Sequence, residues 1–177
     1  MLMTVTFIRH GETDFNKSNL FCGISDCSIT EEAKYNALKL KNVLPEFDYY
    51  YCSPLKRTQE TLKAIFPNSI PIIDDRIIEI SLGVWEGLPK TSVNQELRSK
   101  FKNGDFTPEG AENNENVETR IKDFLNNLFT TYSSDERVLV VTHNGVLRTI
   151  SRLLNINQIN NNLGYFTIDL NNYSNLI

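Results

Sequence analysis

The sequence predicts an α/β fold, a three-layer α/β/α sandwich around a mostly parallel central sheet. Apolar runs of strand length alternate with helical patterns along the chain, as they do when helices cover both faces of a parallel sheet. Val138-Leu139-Val140-Val141 is apolar without a break, which fits a strand buried on both faces. With 177 residues, 40% hydrophobic and 23% charged, the chain is long enough for one substantial core, so a single domain over 1–177 is expected.

Each element has its own signal. Thr4-Val5-Thr6-Phe7-Ile8 is β-branched and aromatic, a buried strand that Gly11 terminates. A polar loop, Asp14 to Ser28, leads to Thr30-Glu31-Glu32, where an oxygen-bearing cap and first-turn acids open a helix that Pro45 closes. Asp48 to Cys52 reads as the second strand. Ser53-Pro54 then reads as N-cap and N1 of a helix over Leu55 to Phe66, stopped by Pro67. Ile70 to Ile73 and Ile77 to Ile80 are expected strand pieces, and Gly83 to Gly87 a turn. Ser92 to Phe101 is expected to be helical and Asn103 to Asn114 a loop. Val117, Ile121, Phe124, Leu125 and Leu128 recur at helical spacing, so Val117 to Phe129 is an amphipathic helix. After the strand at Val138 to Val141 come a helix over Leu147 to Leu154 and a late edge strand, Tyr165 to Leu170. The Asn-rich stretches, Asn155 to Asn162 and Asn171 onward, read as loop and fraying end.

Composition narrows the function. Net charge is −4 with a pI near 5.3 and no dense basic stretch, which argues against nucleic acid as a partner. No apolar run approaches the roughly 20 residues that span a bilayer, so no membrane partner is expected and the cytoplasm is the default location. Cys22, Cys27 and Cys52 are an odd set without zinc-finger spacing and read as reduced structural thiols. No metal site is expected.

The chain has two histidines, and both sit in the same setting. His10 and His143 each follow a strongly apolar strand and precede Gly11 or Asn144-Gly145. The carboxyl end of a parallel strand is where ligands bind in open α/β sheets. Arg9 adjoins His10, and Arg57 lies one turn into the helix after the second strand, so both point to the same face. Two guanidiniums and two imidazoles at one sheet edge suit a tetrahedral anion.

These residues resemble the histidine phosphatase superfamily, the branch that includes phosphoglycerate mutase. Arg9-His10-Gly11-Glu12-Thr13 with Asn16 is similar to its signature. Phe21-Cys22-Gly23-Ile24-Ser25-Asp26 through Thr30 resembles its F-x-G-x-x-D loop, and Ser53 to Thr61 its S-x-L-x-R helix. Glu79 with Gly83-Val84-Trp85-Glu86-Gly87 resembles E-x-x-x-G-x-W-E-G. Gly110-Ala111-Glu112 follows G-G-E-S loosely, with Asn113 in place of the serine, and Val141 to Arg148 matches the block around the second histidine. The motifs run in order over roughly residues 3 to 150.

The resemblance implies a phosphoglycerate mutase-like fold and metal-independent, cofactor-free hydrolysis of a small-molecule phosphomonoester. In that scheme His10 is the nucleophile that forms a phosphohistidine and Glu79 the general acid. Arg9, Arg57, Asn16 and His143 hold the phosphate oxygens, with Gly11 and Asn144 also at the phosphate. Trp85 is expected to be a packing anchor and Glu86 a hydrogen-bonded turn residue. A phosphoglycerate mutase-type phosphotransferase and a non-catalytic phospholigand binder are the alternatives. The segment Lys90 to Glu112 is short, with Lys90, Arg98, Lys100 and Lys102 as its cations, which favours hydrolysis. The motifs suit an α-ribazole phosphatase and a broad-specificity phosphatase equally, and they are silent on oligomeric state.

Overall fold

The computed structural model describes residues 3–132, 135–157 and 161–173. Its sheet has five strands: β1 (Thr4–Arg9), β2 (Tyr49–Cys52), β3 (Pro71–Ile73), β4 (Arg137–Thr142) and β5 (Tyr165–Asp169). They lie in the order β3-β2-β4-β1-β5, all parallel except β5, which runs antiparallel on the edge beside β1. β1 and β4 are the most apolar strands and take the central places, where both faces need cover.

Alternation within the strands divides the core into two layers. Val5 and Phe7 of β1 and Val138 and Val140 of β4 face α5 (Asn114–Thr131) and α6 (Asn144–Leu153). Ile8, Leu139 and Val141 face α2 (Glu31–Leu40) and α3 (Lys56–Ile65). The predicted stripe of α5, Val117, Ile121, Phe124, Leu125 and Leu128, is buried throughout. The α/β sandwich expected from the sequence is the fold.

Several boundaries differ from the sequence reading. The loop after β1 contains a short helix, α1 (Asp14–Lys17), because Thr13 and Asn16 form a reciprocal cap at its start. Ile77 to Ile80 is not a strand: Asp75–Ile77 is a 3₁₀ turn, capped by the Asp74 side chain on the N–H of Arg76. The helix expected over Ser92 to Phe101 is α4 (Gln95–Asn103), capped by Asn94 and closed by Gly104 in the left-handed region at φ 87°. α5 starts earlier, at Asn114, since Asn113 caps it by accepting from Asn116 N–H at 2.8 Å. Ser53 does not cap α3, whose N-cap is Leu55. Parts of the Asn-rich stretches, 158–160 and 174–177, lie outside the described residues.

Candidate active site

Strand register builds the site. Arg9 pairs with Thr142 across β1 and β4, so the next residues, His10 and His143, stand side by side at the carboxyl ends of adjacent parallel strands. Their rings lie 5.2 Å apart at 59°. β2 ends level with them, with Cys52 opposite Val141, and this places Ser53 Oγ 2.7 Å from His143 Nε2. Arg57 enters from the first turn of α3. Glu79 follows the 3₁₀ turn, which Thr142 anchors by donating its hydroxyl to Ile77 O at 2.8 Å.

Hydrogen bonding selects the tautomer of His10. Its Nδ1 lies 2.7 Å from Gly11 O. A carbonyl can only accept, so Nδ1 carries the proton and Nε2 keeps its lone pair. His10 is held well below the usual 6.5, chiefly by burial, then by the charges of Arg57 and Arg9. His143 is lowered likewise, by burial first and then by Arg57 and His10. Both imidazoles are therefore neutral at pH 7.

Glu79 closes the far side. Its Oε1 accepts from Ile80 N–H at 2.9 Å and its Oε2 from Gly145 N–H at 3.2 Å, at the start of α6, where a carboxylate suits the helix dipole. Gly145 leaves room for this contact, because a Cβ there would push Glu79 Oε1 and the Ile80 side chain out of place. Arg9, Asn16, Glu79, Asn144 and Arg148 line a cavity of about 550 Å³, and Lys90, Arg98 and Lys102 line it as well. A second cleft of about 480 Å³, over α3, has neither histidine nor arginine in its walls.

Of the predicted site residues, Arg9, His10, Arg57, Glu79, His143 and Asn144 come together at this sheet edge. Two differ in detail. The Gly11 N–H, expected at the phosphate, donates instead to Thr61 Oγ1 at 2.9 Å, because α3 packs directly under the β1 turn. The Arg57 guanidinium is buried, with Nη1 donating to Ser25 O at 2.9 Å and Nη2 to Gly23 O at 2.6 Å. Among the described residues its buried Nε–H has no hydrogen-bond acceptor, and the buried His143 Nδ1 and Asn144 Oδ1 have no partner. Asn16 lines the cavity, while its Oδ1 accepts from Thr13 and Asn162.

Sequence reasoning missed Ser53 as the partner of His143, Thr61, and Asn162, whose Nδ2 donates to His10 O at 3.0 Å. It also left Lys90, Arg98, Lys102 and Arg148 off the site. Trp85 packs against Phe21 and Phe101, as expected. Glu86 accepts from the N–H groups of Ile24, Ser25 and Leu82 and from Ser25 Oγ.

Comparison with known proteins gives the family of the chain. The chain is 30% identical over 166 residues to a 2,3-bisphosphoglycerate-dependent phosphoglycerate mutase from Rhizobium johnstonii, covering 85% of this chain and 79% of that one. It is 29% identical over 158 residues to phosphoserine phosphatase 1 from Hydrogenobacter thermophilus, covering 84% and 74%. A crystal structure of a candidate alpha-ribazole-5'-P phosphatase from Escherichia coli superposes with a TM-score of 0.79 at 26% identity, covering 94% and 90%. The family profile of the histidine phosphatase superfamily (branch 1) matches residues 5–176, and the chain belongs to that superfamily.

Proposed function

We propose that the protein hydrolyses a small-molecule phosphomonoester through a phosphohistidine at His10. The observation that carries this is the His10 Nδ1 bond to Gly11 O, which leaves Nε2 as an unprotonated nucleophile within the field of two arginines and beside a second neutral imidazole.

Nε2 attacks phosphorus, the P–O bond to the leaving group breaks, and Glu79 passes to the departing alkoxide a proton brought in by the monoanionic phosphomonoester. The Glu79 carboxylate then takes a proton from the water that attacks the phosphohistidine, and His10 leaves neutral. Arg9, Arg57 Nε–H and His143 Nδ1 meet the charge on the equatorial oxygens, with Asn16 and Asn144 bordering them. With Ser53 Oγ–H donating to Nε2, His143 carries its proton on Nδ1, a buried atom without a partner among the described residues. Arg57 acts mostly through its charge, since its Nη atoms are committed to loop carbonyls.

The substrate reading stays between α-ribazole 5'-phosphate and a broad range of phosphomonoesters. One observation favours the phosphotransferase alternative. Lys90, Arg98 and Lys102 line the cavity, where they suit a second anionic group, while Lys100 pairs with Glu96 at 2.8 Å.

The test is phosphate release from p-nitrophenyl phosphate and a panel of sugar and nucleotide-like phosphomonoesters, in EDTA, by the wild type and His10→Ala. Turnover that resists EDTA and falls at least about 10⁴-fold in the variant is expected. Isomerisation of a phosphoglycerate without phosphate release favours the phosphotransferase. No release and no isomerisation by the folded protein overturns the enzyme reading.

A further inference from the structure

Two thiols stand beside the site and take no part in the reaction above. Cys22 Sγ and Cys27 Sγ lie 3.6 Å apart in the loop between α1 and α2, and both are partly exposed. Cys22 also donates to Ser25 O at 3.4 Å. The same loop supplies Gly23 O and Ser25 O, the two acceptors that hold Arg57. The cysteines thus bracket the stretch of backbone that positions a guanidinium of the anion site.

Their chemistry is set apart from that of the third cysteine. Cys52 is buried, and burial pushes its thiol up to about 12. Cys27 is pulled below the ordinary thiol value, first by its hydrogen-bond contact with Cys22 and then by the charge of Arg57, against the opposing effect of burial. Cys22 keeps its proton on Ser25 O, while the Arg57 charge favours the thiolate at Cys27, so Cys27 is the nucleophile and Cys22 the resolving thiol. A disulfide bond is about 2.05 Å long, so the sulfurs have roughly 1.5 Å to close, a short move for a surface loop.

We propose that Cys22 and Cys27 are a redox modification site, forming a reversible intramolecular disulfide that weakens phosphate binding by shifting the loop carbonyls on Arg57. The oxidant is a low-molecular-weight disulfide such as glutathione disulfide. Cys27 thiolate attacks one of its sulfurs, the S–S bond breaks, and one glutathione thiolate leaves. Cys22 then loses its proton and attacks the Cys27 sulfur, expelling the second glutathione thiolate. The two protein sulfurs give up two electrons, and the oxidant ends as two thiols, one proton coming from Cys22 and the other from solvent. The new bond abolishes the Cys22 contact to Ser25 O and draws in the chain on either side of Gly23.

The effect on phosphate rests on the anion-site reading, whereas the disulfide does not. The test treats the full chain with glutathione disulfide and reads two quantities: intact and peptide mass, and binding of inorganic phosphate by calorimetry. The expected result is a loss of about 2 Da, a peptide crosslinked at Cys22 and Cys27 with Cys52 unmodified, and phosphate affinity lowered about tenfold, all reversed by dithiothreitol. Cys27→Ser, compared with its own untreated form, shows neither change. A stable glutathione adduct without the crosslink overturns the disulfide. A crosslink that leaves phosphate affinity unchanged overturns the coupling through Arg57. Failure of the untreated protein to bind phosphate overturns the anion-site reading and that coupling together, and leaves the disulfide to be decided by mass.

Discussion

His10 owes its chemistry to its neighbours. Burial, Arg57 and Arg9 all favour the uncharged ring, and Gly11 O fixes which nitrogen is bare. Arg57→Gln removes the larger of the two charge contributions. The midpoint of the His10 ring signals in an NMR titration should then move up but stay below 6.5, because burial remains the main cause. An unmoved midpoint overturns the electrostatic role given to Arg57. The same variant should lose about 10²- to 10³-fold in kcat/KM, the range for removing one transition-state donor. Both histidines were legible from the sequence, because an apolar strand that stops at a histidine and a glycine puts that ring at a sheet edge. Ser53 and Asn162 were not. The reach of Ser53 to His143 depends on the β2–β4 register, and Asn162 meets His10 from 152 positions along the chain.

At the scale of elements, the site is held by loops pinned to one another rather than by the sheet alone. Glu86 takes four hydrogen bonds, three of them from the backbone of two separate loops, and so ties the Gly23–Ser25 turn to the turn at Gly83. Gly83 has φ +53°, and a Cβ there would run into the backbone at Glu109, so this junction admits little else. Glu86→Ala strands these donors and frees the turn that carries the acceptors of Arg57. The variant should lose about 2 kcal/mol or more of stability in urea unfolding, and phosphate release should fall with it. Full activity with unchanged stability overturns this bracing role. The strands that are apolar throughout and the α5 stripe were readable because burial on a regular period leaves a pattern. Ile77 to Ile80 misled for a physical reason: the carbonyls of Arg76 and Ile78 accept from the Arg120 guanidinium, 44 and 42 residues away, instead of from a neighbouring strand. Short apolar runs do not reveal where their backbone bonds go.

For the whole molecule, the two buried imidazoles tie stability to pH. His10 and His143 both sit where the sheet edge meets the helical layers, and both are held well below 6.5 in the folded state. In the unfolded chain they titrate near 6.5, so below that pH the unfolded state binds protons that the folded state refuses. The stabilisation is complete above pH 6.5 and is lost as pH falls toward the folded values. Each histidine contributes about 1.4 kcal/mol per pH unit in that window, so the pair approaches about 2.7 kcal/mol per unit. Asp74 is lowered as well, but a depressed carboxylate acts only below about pH 4, outside this window. Urea unfolding of a Cys27→Ser variant, which removes the lowered thiol that would titrate above pH 6.5, at intervals from pH 8 to pH 5 should show stability level down to about 6.5 and then falling at nearly that slope. His143→Gln should halve the slope whatever it does to absolute stability. A profile in that background that stays flat to pH 5 means that these rings accept protons while folded, and His10 would then be a cation at mildly acid pH, unable to attack phosphorus there.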